Sequence, residues 1–213
     1  GTAADSGAIE NMLLVALESL FSDTNHRQIR LGILRISLHV LQRSGESLTR
    51  GWDPILRLLQ SVPDIPDADI VSTAFDSVEL LVNEHLDQLP PETQPKGLRM
   101  VSAFAKQATV MNVSLSSINL LWSAVDMFGK EAQPMPVQSQ SSFPRSVVRS
   151  SSSITSEEDA KRIPNRLFYL INVLQELSLD KRPEVRNSGI RSFFAAMVSY
   201  GSKFCLEIGR AHV

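Results

Sequence analysis

The side chains best suited to metal binding or proton transfer are His26, His39 and His85. None has a second histidine or a carboxylate at i+3 or i+4, the spacing that places two ligands on one helix face, so they read as surface histidines. Cys205 has no motif around it and reads as a small apolar residue in a fraying tail. Asn112-Val113-Ser114 matches a glycosylation acceptor, but its polar residues stand where helix capping would use them. No glycine-rich phosphate loop and no Ser/His/Asp arrangement is present. The sequence therefore offers no catalytic residues, no metal ligands and no cofactor-binding residues. Partner-binding positions are not readable from residue type alone.

The densest cluster of charge is Asp180-Lys181-Arg182-Pro183-Glu184-Val185-Arg186-Asn187-Ser188. Its chemistry is that of a tight turn between helices. Pro183 fixes φ where a helix begins, Glu184 suits the positive helix start, and Val185 opens an apolar stripe. Asp180 can accept backbone N–H bonds at the turn. Arg186 is expected to reach an acidic or carbonyl partner in the neighbouring helical pair. Trp52 and Trp122 are read as packing residues, with partner anchoring as the alternative. Arg149-Ser150-Ser151-Ser152 resembles a basophilic kinase site, set against the simpler reading of an inert spacer.

These residues must be positioned by helices. The chain has 213 residues, 43% hydrophobic and 21% charged, with a formal net charge of −2. That is ordinary globular usage, without the basic stripe of a nucleic-acid binder. No apolar run approaches the roughly 18–20 residues needed to span a bilayer. A single cysteine excludes an internal disulfide. The chain opens Gly1-Thr2-Ala3-Ala4, and we read it as an internal section of a longer protein, with 208–213 as a non-native tail.

Apolar residues recur at helical spacing in segment after segment. Ile9, Met12, Leu13, Ala16, Leu17 and Leu20 mark the first helix; Ile29, Ile33, Ile36 and Val40 mark the second. Gly45 is expected as a left-handed C-cap. Asp53 is expected to cap a third helix with Pro54 at its first position. A fourth helix is predicted over 69–86, a fifth ends near Gln107, and Ser114 is expected to cap a sixth. Between 130 and 160 serine, proline and glutamine dominate, and this Ser-rich stretch is read as a disordered insertion. Helix periodicity returns at Asn165 after Pro164. The last helix carries Ile190, Phe193, Phe194, Met197 and Val198 and closes at Gly201.

The helices fall into pairs over 8–43, 54–86 and 92–129, making repeats over 8–129, with a further pair over 165–205. Each pair takes roughly 35–40 residues, the length of HEAT and armadillo repeats. Val185-Arg186 and Ile190-Arg191 echo Ile29-Arg30 and Leu34-Arg35. The expected fold is all-α, an α-solenoid of antiparallel helix pairs.

Three stretches carry a family resemblance. Gly51-Trp52-Asp53-Pro54-Ile55-Leu56, Asn112-Val113-Ser114-Leu115 continuing to Leu121-Trp122, and Asp180-Lys181-Arg182-Pro183-Glu184-Val185-Arg186-Asn187-Ser188 followed by Phe193-Phe194 resemble motifs of the large Sec-seven-related Arf exchange factors. The order and spacing also fit, over about 15–203. Ser192 departs from the family's usual threonine, and the Ser-rich insertion is long. The resemblance is nearest to the branch that lacks the catalytic Sec-seven domain. It implies a non-enzymatic, helical-repeat scaffold peripheral to the cytoplasmic face of the trans-Golgi network and endosomes, acting in vesicle-mediated protein transport. Implied partners are Dopey-type proteins, Arf-like GTPases and a phospholipid flippase, with no nucleic acid and no small-molecule substrate. The alternatives are the regulatory helical region of a true Arf exchange factor, or a HEAT-type cargo adaptor.

Overall fold

A computed structural model describes residues 3–48, 50–131 and 155–208. Among them are eight α-helices and no strand: α1 (Ala3–Asp23), α2 (Arg27–Ser44), α3 (Trp52–Gln60), α4 (Ala68–Leu80), α5 (Gln94–Lys106), α6 (Met111–Glu131), α7 (Thr155–Leu177) and α8 (Pro183–Ile208). The fold is all-helical, as the 3.6-residue periodicity requires.

The helices pack in two rows. In one, α1, α3, α5 and α7 lie against each other in succession; in the other, α2, α4, α6 and α8 do the same. Contacts of α1 with α2, α5 with α6 and α7 with α8 join the rows. A single core runs through both, from Phe21 and Leu34 through Leu56, Val78 and Phe104 to Leu121, Leu174 and Val185.

Several predicted element ends move. The α3 helix begins at Trp52 with Gly51 as its N-cap, so Asp53 is not the cap; its carboxylate meets Lys96 of α5 at 2.5 Å. The cap signal appears instead at Asp67, whose Oδ1 accepts from the N–H groups of Asp69 (3.0 Å) and Ile70 (3.1 Å). The predicted fourth helix leaves α geometry at Leu80 and ends in a π-helical turn, Leu81–His85. Ser114 does not cap α6, which starts three residues earlier at Met111.

The α7 helix begins at Thr155, not at Asn165, and passes through Pro164. Residues 155–160 are thus helical and do not belong to a disordered insertion, and 130–131 belong to α6. Glu157 and Glu158 stand in the first turn, where acidic residues suit the positive helix start. Residues 132–154, with the Arg149–Ser152 kinase-like site, lie outside the described residues, as do 209–213. The last helix does not close at Gly201 but continues to Ile208, carrying Cys205 in its backbone.

Two glycines are explained by close approach. Gly45 is not left-handed: its φ and ψ are −51° and −48°. A Cβ there would lie 2.3 Å from Nε2 of His85, so the ring of His85 claims the space. In Gly189 a Cβ would lie 2.8 Å from the backbone carbon of Leu177 and 2.9 Å from the nitrogen of Ser178. Backbone cannot swing aside as a side chain can. In an open helix, Gly→Ala stabilises by about 1 kcal/mol. Gly189→Ala is expected to do the reverse, lowering stability by about 1–3 kcal/mol through overpacking of α8 on the end of α7. Urea denaturation at constant m-value checks the sign.

Candidate protein-binding surfaces

The predicted turn is a hydrogen-bonded joint between two helical pairs. Arg182, not Arg186, crosses to the neighbouring pair. Its guanidinium forks onto Asp180, with Nε 3.0 Å from Oδ1 and Nη2 2.9 Å from Oδ2. Nη1 then donates to the carbonyl of Gln107 at 2.6 Å and to Ser114 Oγ at 3.1 Å, while Nη2 lies 3.4 Å from the carbonyl of Ala105. Those carbonyls are the open C-terminal end of α5, where a cation is favoured. Arg182 and Asp180 hold each other's charge: the Arg182 guanidinium keeps the Asp180 carboxyl below the usual carboxylate range, and Asp180 raises the guanidinium in turn.

Gln107 completes the joint and was not legible in the sequence. Its Oε1 accepts from the N–H groups of Thr109 (2.7 Å) and Val110 (2.9 Å), closing the turn that leads into α6. Its Nε2 donates to the carbonyl of Val110 and to Ser114 Oγ. The buried Ser114 hydroxyl donates back to the carbonyl of Gln107 at 2.9 Å. A glutamine after a helix gives no pattern by which this could be foreseen.

Arg186 turns back on its own loop, donating to the carbonyl of Asp180 at 3.1 Å. Arg30 does the same with the carbonyl of Thr24 at 2.8 Å. Each arginine reaches six residues upstream. The echo between Val185-Arg186 and Ile29-Arg30 is therefore one device used in two helical pairs.

The remaining singled-out residues sort by burial. Trp52 is core: its Nε1 donates to the carbonyl of Leu48 at 3.1 Å and its ring centroid lies 5.7 Å from that of His85. Trp122 is half-buried against the core. His85 is buried, not a surface residue as its spacing suggested; the π-turn directs it inward onto Trp52. His26 and His39 are exposed. Among the described residues no group of His, Cys, Asp and Glu could hold a metal ion, and no helix is long and apolar enough to cross a membrane.

What the fold leaves open is apolar. Every exposed large hydrophobic residue among those described belongs to α1, α2, α7 or α8, or to the turn at Leu179. Ile9, Met12, Leu13, Leu20, Ile29 and Ile36 occupy one end of the rows; Phe168, Phe194, Met197 and Val198 occupy the other. Apart from Val15 and Leu179 they stand at the spacing of a helical stripe, and they are exposed because each end helix is covered from one side only. Val198 is 86% exposed. At the first end, Leu13, Leu17, Leu20, Ile36 and Val40 line an open groove of about 670 Å³ between α1 and α2.

This stacked, all-helical chain has known relatives. Residues 6–80, covering most of α1 to α4, match the family model described as "Mon2/Sec7/BIG1-like, HDS". The particular likeness is to Mon2, the monensin-sensitivity protein. The chain is 26% identical over 197 residues to the Protein MON2 homolog of Drosophila melanogaster, covering 91% of this chain and 11% of that protein. It is 26% identical over 205 residues to the Protein MON2 homolog of Homo sapiens, covering 91% and 12%. It is also 23% identical over 211 residues to the Brefeldin A-inhibited guanine nucleotide-exchange protein 2 of Arabidopsis thaliana, covering 93% and 12%. These matches bear out the resemblance read from the three motifs. The chain spans about a tenth of the length of these relatives. No solved structure matches.

Proposed function

We propose that this chain is a section of an α-solenoid scaffold, non-catalytic in itself, that works by binding proteins in vesicle-mediated transport at the cytoplasmic face of the trans-Golgi network and endosomes. The observation that carries the reading is the two-row packing with apolar faces open at both ends. A helical pair of a solenoid buries each face only when the next pair stacks on it. In relatives about eight times as long as this chain there is chain enough to supply those pairs. Dopey-type proteins and Arf-like GTPases are the proposed partners, bound on the polar flanks of the stack and not on its ends. Association with the membrane is then indirect and peripheral.

The likeness to a guanine nucleotide-exchange protein over 93% of the chain favours a second reading. There the same stack would regulate an exchange domain located elsewhere in the protein. A fluorescence assay of GDP release from a panel of Arf and Arf-like GTPases tests the shared core of both readings. With this chain alone, release is expected at the intrinsic rate. Acceleration of even a few-fold, proportional to chain concentration, sinks the non-catalytic claim.

A further inference from the structure

Three buried side-chain polar atoms meet no hydrogen-bond partner among the described residues, and all three belong to one stretch: Oγ of Ser77, Nε2 of His85 and Oε1 of Gln94. They lie on α4, on the π-turn that ends it and on the first residue of α5. We propose that this stretch, centred on the π-turn Leu81–His85, is a hinge between the first two helical pairs and the last two. The inference goes beyond the scaffold reading, which holds for a rigid stack as well as for a hinged one.

The π-turn is held in place by its surroundings. Its i→i+5 bonds are rare except as single turns inside α-helices, where they often mark functional sites. Here the wider turn directs His85 inward, 4% exposed, onto Trp52. The seat exists because position 45 is glycine, since a Cβ there would meet the ring. Once seated, the ring has little to bond: Nδ1 lies 3.4 Å from Oε1 of Gln88, and Nε2 meets nothing. A buried polar atom without a partner favours any state in which it reaches one. Ser77 and Gln94 add the same bias on either side. When the π-turn releases its extra residue into the loop before α5, the helix returns to α geometry. The residues that follow then rotate by about 100°, one residue's turn, and His85 leaves its seat.

The contacts between pairs change at the same place. Two arginines cross from the first pair to the second: Arg27 onto Asp67 and Asp69, and Arg57 as a fork onto Glu18. Arg182 crosses from the fourth pair to the third. Among the described residues no arginine crosses between the second pair and the third. There Lys96 meets Asp53, and Gln60 donates to the carbonyl of Lys96 at 2.9 Å. On the turn side, Thr109 reaches the carbonyl of Ile65 only at a long 3.5 Å. The rings of Phe75 and Phe104 also meet across this seam, 5.9 Å apart. Apolar contact is non-directional, so it tolerates the small sliding of packed helices that a hinge requires.

The test is native-state hydrogen exchange of the 213-residue chain. The amides of Leu81, Val82, His85 and Leu86, all buried residues, are expected to exchange at least a hundredfold faster than those of α6. His85→Leu fills the seat without the unpartnered nitrogen and is expected to slow that exchange at least tenfold. Gly45→Ala pushes the ring off its seat and is expected to speed it by a similar factor. Motion of the halves is read by electron spin resonance in a Cys205→Ser background. Spin labels at the exposed positions Arg35→Cys and Asn119→Cys span the seam, and a pair at Asn119→Cys and Arg191→Cys lies within the second half. The cross-seam distance distribution is expected to be the broader, and His85→Leu is expected to narrow it. Exchange of the π-turn only in step with α6, or equal widths for the two label pairs, overturns the hinge and leaves the scaffold reading standing. Should Gly45→Ala fail to fold, the unaltered chain and His85→Leu still decide between these outcomes.

Discussion

Arg182→Ala is expected to lower the stability of the chain by about 2–3 kcal/mol. The substitution removes a charge-assisted fork onto Asp180 and donors to the open end of α5, and hydrogen bonds to charged groups contribute about 1.5–3 kcal/mol each before relaxation. It also strands a carboxylate whose side chain is only 18% exposed. Lysine is expected to recover less than half, because it keeps the charge but not the fork.

The pH dependence has a definite sign. Asp180 is held below its ordinary value by Arg182 first, with the backbone N–H of Arg182 adding to it. A depressed carboxyl contributes stability that is fully present above its unfolded value, about 3.9. That contribution is lost as pH falls through the lower folded value. The cost of Arg182→Ala, measured in urea, is therefore expected to be constant from pH 6 to 8 and to shrink below about pH 4. A cost that persists undiminished at pH 2 would mean that the Asp180 pair is not its source.

The second large effect concerns the open ends. The unaltered chain is expected to self-associate at tens of micromolar, with a sedimentation coefficient that climbs with concentration. Contact of one end of the stack with the other is head-to-tail and gives rings or open chains according to whether the rotation closes. Phe194→Glu with Val198→Glu is expected to weaken association at least a hundredfold. Covering side chains of this size contributes about 1.5–3 kcal/mol each, and two carboxylates would have to be desolvated in their place. Both residues are well exposed, so helicity by circular dichroism should be unchanged. A clean monomer of the unaltered chain at these concentrations, or equal association of the variant, would contradict the end-face account.

Periodicity made the helices readable because an apolar stripe at 3.6-residue spacing has no other use in a chain of this composition. It could not say which stripes would be covered. Ile36 and Phe194 look like Leu34 and Val185 in the sequence, yet two are exposed and two are buried. Coverage depends on what stacks outside, which no local pattern encodes. The turn was legible as a turn, but the arginine that bridges the pairs was misassigned. Arg186 and Arg182 are both long cations near one loop; which crosses depends on where α5 ends, seventy-five residues earlier. His85 and Gly45 show the same limit. Each is explained only by the other, through a π-turn that no residue type announces.

The most direct test of the scaffold claim is titration of the purified chain against a purified Dopey-type protein and against Arf-like GTPases loaded with GDP or GTP. The account predicts saturable binding to at least one of them, unaffected by charging the end faces at Phe194 and Val198. Binding to none, or binding that disappears when those end faces are charged, would contradict it.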